Sequence, residues 1–293
     1  MTDQLNWKHL DFSEDANADW IRQESGIPEL VTAAMLDADT RPRTLVTDKG
    51  VLVILRGVNL NPGAELEDMI SVRVWVEADR VISTSRRPLV SLSDIQAQVD
   101  AGKGPGDSRE FLVCLVERLG NYISEAIEKI ENELDKAEDN ATDTAYVARN
   151  SPFNVLRRQT ARIRRHLGPQ REALDRLSRL SDTVIDAQCR SQLGEQANHL
   201  MLMLENLDLV RERATLAQEE FLGIVAHEQN SRMFVLSIVA AIFLPLSFLT
   251  GLMGMNVAGL PGLVNPWAFW VLVAVMLVIS IGILAVFRLK KWF

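Results

Sequence analysis

The sequence predicts an α/β cytoplasmic domain followed by a long stalk helix and two C-terminal transmembrane helices. Three observations carry that reading. Strand-like runs cluster in the first hundred residues, a helical stretch free of proline runs from about Gln192 to Pro245, and residues 233–287 hold no charged side chain and no histidine. The formal net charge of -8 over 293 residues therefore hides a sharp division. After residue 232, charge returns only at Arg288, Lys290 and Lys291.

The polar, acidic start MTDQLNWKHLDFSEDANADW reads as lacking a signal peptide. RTLVT (43–47), VLVILRGV (51–58) and ISVRVWVEADRVISTSR (70–86) are β-branched and partly alternating. Gly50, NPG (61–63) and EADR (77–80) supply turns, so the last run forms a hairpin of a small mixed or antiparallel sheet. SLSDIQAQVDAG (91–102) is a short helix ending near the loop GKGPG, which lacks the pattern of a phosphate loop. Residues 108–139 have long helical periodicity. A further helical region from Pro152 to about Leu167 is expected to break at GPQR (168–171). Helix, strands and then helices make a layered α/β domain over 1–190.

The stalk occupies 191–232. A helix continuing from Gln192 to Gly251 would be roughly 90 Å long at 1.5 Å per residue. A lone helix of that length needs neighbours, which implies an oligomer. Glu195, Glu205, Asp208, Glu212, Glu219, Glu220 and Glu228 outnumber Arg211 and Arg213 along it. They form either a solvated face or a vestibule that concentrates cations. Glu219, Glu220 and Glu228 lie nearest the apolar segment. His227 and His199 are candidate zinc or proton sites, and His9 and His166 weaker ones.

Two apolar runs follow, FVLSIVAAIFLPLSFLTGLMG within 233–254 and WAFWVLVAVMLVISIGILAVF over 267–287. Each matches the about 20 residues needed to cross a hydrocarbon core about 30 Å thick. Arg232 and the basic tail at 288–293 place both outer ends in the cytoplasm, which leaves 255–266 as a short periplasmic loop. Trp267, Trp270 and Trp292 suit the interfaces. Asn230, Met233, Ser237, Ala240, Leu244, Ser247, Gly251 and Gly254 recur at steps of three and four. That row is either a pore wall or a helix–helix interface, because small residues serve both.

Several classes are excluded or disfavoured. Cys114 and Cys189 are too isolated for a disulfide scaffold or metal knuckle. An acidic chain without a basic, aromatic stripe is a poor nucleic-acid binder. No Walker motif, dinucleotide fingerprint or HExxH metal site suggests an enzyme. A membrane-anchored interaction or regulatory protein without transport remains an alternative.

Gly254-Met255-Asn256, standing between two terminal spans and after a proline-free stalk, resembles the signature of the CorA metal ion transporter family. The continuation NVAGLPG, with Gly259-Leu260-Pro261-Gly262, is most similar to its zinc transporter branch, ZntB. Met255 departs from that branch, where Ile or Val is common, and matches the general family. The resemblance implies a funnel-shaped homopentamer in a bacterial inner membrane, multi-pass, with both termini cytoplasmic. It implies that the first span lines the pore and that Asn256 rings its outer mouth and meets a largely hydrated cation. Gly254 would permit the turn and Met255 would hold it. Met233, Leu236, Ala240, Leu244, Ser247 and Gly251 would face the path, with Asn230 a polar ring inside. Leu236 comes from the family pattern, where periodicity alone favours Ser237. The implied cargo is zinc taken up with or without protons, with magnesium, cobalt, nickel and cadmium as alternatives and no resident cofactor. His227 and the acids Glu219, Glu220 and Glu228 are the places for cation attraction or proton coupling. LPGLVNP lacks the acidic residues of many magnesium-selective relatives.

Overall fold

The computed structural model describes residues 5–141, 147, 152–180, 185–256, 260–262 and 265–290. Residues 1–221 and 222–293 form two compact units, considered in turn.

The first unit is built on five strands: β1 (Asn6–Asp11), β2 (Arg43–Val46), β3 (Val51–Gly57), β4 (Ile70–Val76) and β5 (Arg80–Ser85). Their order is β1-β5-β4-β3-β2. β2 to β5 pair antiparallel, while β1 adds to β5 in parallel and makes the sheet mixed. β1 is a strand that the polar N-terminus did not advertise, because only its Leu10 is buried. Residues 51–55 are fully buried, as expected of a strand covered on both faces.

Helices α1 (Asp15–Gln23) and α2 (Glu29–Leu36) precede β2. Ile27, Val31 and Met35 pack with Leu52, Ile54, Trp75 and Ile82 on one sheet face. The opposite face receives α3 (Val90–Asp100), α4 (Ser108–Asp139) and α5 (Pro152–Ser178). There a Cβ on Gly57 would meet the Leu119 and Leu89 methyls within 2.8 Å, so any larger residue would force those leucines to shift. Asp107 caps α4 by accepting from the N–H groups of Arg109 and Glu110.

The break expected at GPQR does not occur, since α5 runs through Pro169 to Ser178. An internal proline costs about 3 kcal/mol. Burial of Leu167, Ala173, Leu174 and Leu177 offsets it, each leucine contributing about 1.5–3 kcal/mol.

α6 (Ala187–Met253) extends through both units. It begins earlier than Gln192 because Asp186 accepts the Cys189 N–H at 2.8 Å, a side-chain cap on the first turn. Leu193, Ala197, Leu200, Met203, Leu207, Val210 and Ala214 form its buried stripe in the first unit. The second unit contains the rest of α6 and α7 (Ala268–Leu289). Both helices carry windows long and apolar enough to cross a membrane, with mean hydropathy 2.4 and 2.9 and no buried share.

Candidate functional site

The Gly254 N–H donates to the Thr250 carbonyl at 2.9 Å, and the Met255 N–H to the Leu252 carbonyl at 3.4 Å. These bonds close the last turn of α6 and leave Asn256 just beyond it. A Cβ on Gly254 would stand 3.1 Å from the Thr250 oxygen, so the smallest side chain suits the turn. Asn256 is exposed. Its carboxamide makes no hydrogen bond among the described residues and is not used as a cap.

Residues 257–259, 263–264 and 291–293 lie outside the described residues, so Gly259 of the Gly-Xaa-Pro-Gly element, Lys291 and Trp292 are not placed. Gly262 has φ 95°, a left-handed conformation natural to glycine. The Asn265 side-chain oxygen accepts the Trp267 N–H at 2.9 Å and turns the chain toward α7.

The apolar end of α6 has two unlike sides. Phe234, Ile238, Ala241, Ile242, Pro245, Leu246 and Leu249 are half-buried. The Phe234 ring meets Phe287 of α7 edge-on, with centroids 6.4 Å apart. Met233, Leu236, Ala240, Leu244, Ser247 and Gly251 are exposed, and Asn230 is exposed on the turn before them. Leu236 and Ser237 are both exposed, so exposure does not choose between them. The Ser237 hydroxyl donates back to the Met233 carbonyl at 2.8 Å, which leaves it an acceptor toward anything outside.

Along α6 in the first unit, Glu219 and Glu220 are exposed. Asp208 pairs with Arg164 at 2.7 Å, and Arg213 with Asp135 at 2.7 Å and with Glu138. These pairs withdraw Asp208 from any cation-attracting set. In the second unit His227 and Glu228 are exposed, and Glu228 lies 3.4 Å from Arg232. Among the described residues no group of three His, Cys, Asp or Glu side chains in one chain could hold a metal ion.

One feature escaped the sequence reading. Leu202, Leu209 and Leu216 are 59%, 55% and 59% exposed. They recur every seventh residue, interleaved with the exposed Glu205, Glu212 and Glu219. The seven-residue spacing was the available signal.

Residues 2–291 match the model of the CorA-like Mg2+ transporter protein family. The chain belongs to that family. It is therefore a divalent-cation transporter with C-terminal membrane helices, not an enzyme. It is 37% identical over 290 residues to the divalent cation transporter CmaX of Pseudomonas aeruginosa, covering 98% of this chain and 87% of that protein. It is 30% identical over 286 residues to the zinc transport protein ZntB of Pectobacterium atrosepticum, covering 98% of this CorA-like chain and 87% of the relative. The structure of full-length CmaX superposes with TM-score 0.84 at 35% identity, covering 98% of this chain and 88% of that one.

Proposed function

We propose that this CorA-like chain takes up zinc across the inner membrane as a homopentamer whose first span, 233–254, lines the path. The observation that carries the pathway is the exposed Asn256 carboxamide at the end of a helix side that is itself open. Five copies of that side around an axis would stack Asn256, Ser247, Leu244, Ala240, Leu236, Met233 and Asn230 along it. Amide oxygens at the mouth meet a hydrated cation without gripping it. Five carboxylates there would repel one another and trap a divalent ion. Leu244, Leu236 and Met233 act as constrictions that gate by dewetting.

Pentamer formation is supported by Leu202, Leu209 and Leu216, whose exposure in one chain favours coverage by further copies. The alternating Glu205, Glu212 and Glu219 would keep that stem acidic and draw cations inward. Soluble segments 1–190 and 191–232 lie in the cytoplasm, 255–266 forms the periplasmic turn, 267–287 the outer span and 288–293 a cytoplasmic basic tail. Arg232 and Arg288 at the inner ends support that orientation.

Zinc is favoured by the likeness to ZntB and by the absence of acids in LPGLVNP. Neither span offers the Cys, His or carboxylate ligands zinc prefers. Selection then rests on dehydration and pore dimensions rather than a binding cage. An inside-negative potential drives entry by about 2.3 kcal/mol per charge per 100 mV, twice that for a divalent ion. Proton coupling falls to His227, Glu228, Glu219 and Glu220, since the spans contain no titratable relay. Zinc, magnesium, cobalt, nickel and cadmium flux into proteoliposomes, with and without a pH gradient, tests this. Zinc flux that rises with an inward proton gradient is expected. Magnesium flux indifferent to pH would instead assign the magnesium type.

A further inference from the structure

We propose that the sheet of the first unit carries a binding site for a small phosphate-bearing anion, held by Arg56, Arg73 and Arg86. Sheet register creates it. Arg56 pairs opposite Ser71, Ile54 opposite Arg73, and Arg73 opposite Thr84. Arg56 and Arg73 are therefore diagonal neighbours on one face. Arg86, two residues past Thr84, continues the diagonal on the same side. The three arginines, with Ser13, Ser71 and Asp68, line a cavity of about 480 Å³.

Their hydrogen-bond partners are neutral, while Asp39 and Asp68 near Arg56 and Asp37 near Arg73 offset only part of the positive charge. Arg56 donates to the carbonyls of Met69 at 3.0 Å and Thr40 at 2.7 Å. Arg73 donates to the carbonyls of Asp37 at 2.5 Å and Ser71 at 3.3 Å. The Thr40 hydroxyl also accepts from Arg73 at 3.3 Å. Carbonyls and a hydroxyl orient a guanidinium without neutralising it. Among the described residues none of the three arginines forms an ion pair with a carboxylate. Arg87 beside them does, with Asp68 at 2.8 Å, and that bond together with Asn59 engages Asp68.

Arg73 is only 1% exposed, and the Nε atoms of Arg73 and Arg56 are both buried without a partner. Phe12 lies under two of the cations, 4.5 Å from the Arg73 guanidinium carbon and 5.7 Å from that of Arg86. Burial first, then the charges of Arg56 and Arg86, lower Arg73 to about 10 against the opposing pull of Asp37, so it stays cationic at neutral pH. A buried charge without a counter-charge is costly, and truncating or supplying its partner has large effects. In a chain of net charge -8, three neighbouring guanidiniums without a direct ion pair among the described residues form a local excess of positive charge.

An anion in the cavity supplies the missing charge. Guanidinium forks suit phosphate oxygens, and two forks, from Arg56 on β3 and from Arg86 just after β5, can take separate oxygens of one tetrahedral group. Arg86 and Arg56 make the contacts, while Arg73 supplies the field from beneath. The residues of the site all belong to the first unit, and the proposal does not depend on which metal is carried.

Calorimetric titration of the full-length, detergent-solubilised protein with inorganic pyrophosphate in metal-free buffer tests it, with ADP titrated in parallel. The expected result is saturable binding, one per chain, weakened at least tenfold by Arg86→Gln. Arg179→Gln, at an exposed arginine paired with Asp175 outside the cavity, should leave it unchanged. Tighter binding of ADP would assign a nucleotide, and equal binding recognition of the diphosphate group alone. No binding to the folded protein, or equal loss in both variants, would overturn the proposal. Arg86 is exposed, so its replacement leaves the core intact.

Discussion

The Gly254 N–H donates to the Thr250 carbonyl at 2.9 Å, the last regular helical bond before Asn256 leaves α6. A Cβ at Gly254 would approach that same carbonyl to 3.1 Å. Gly254→Val adds a branched side chain at the tightest point of the turn. Metal flux in proteoliposomes should fall several-fold, while the particle mass and the melting temperature of the first unit stay as in wild type.

Leu209 is 55% exposed in the middle of the seven-residue stripe. Leu209→Glu would place a new carboxylate between Glu205 and Glu212 wherever copies meet. The detergent-solubilised particle should lose mass from about five chains toward one, with helical content unchanged. Mass retained at the wild-type value would remove the stripe from the interface.

Gly50 closes the β2–β3 turn, where the Thr47 N–H donates to the Gly50 carbonyl at 2.9 Å. A Cβ there would fall 2.4 Å from the Val76 carbonyl, which is backbone and cannot swing away. Gly50→Ala should destabilise the first unit by about 2 kcal/mol, within the usual range for backbone clashes. Chemical denaturation followed by tryptophan fluorescence measures it.

His166 is pushed down from 6.5 to about 4, first by burial and then by Arg56, Arg165 and Arg41. Between those values the unfolded chain binds a proton that the folded chain refuses. Stability should thus fall as pH drops from about 6.5 to about 4 and change no further from this group below that. His166→Gln should flatten the acid limb of the denaturation midpoint over that window. An unchanged limb would show that other groups set it.

Much of this molecule was legible because strong patterns fixed it. The β-branched runs became β2 to β5, and the uncharged C-terminal stretch became the apolar end of α6 together with α7. β1 was hidden because an edge strand buries little, and its NWKHLD shows almost no alternation. GPQR misled because a local breaker was outweighed by four buried apolar side chains around it in α5. The exposed leucines at 202, 209 and 216 were masked by the stronger row of buried residues on the same helix. Arg56, Arg73 and Arg86 each looked like an ordinary strand-border residue, and only the sheet register brings them together. Asn256 was singled out by its neighbours Gly254 and Met255, and the structure adds that its amide is exposed and makes no hydrogen bond among the described residues.

Zinc flux into proteoliposomes holding wild type or Asn256→Ala, at matched protein content and particle mass, tests the central claim most directly. A fall of at least tenfold in Asn256→Ala, with Asn256→Gln partly restoring flux, is the expected result. Equal flux in all three proteins would contradict a cation path through Asn256.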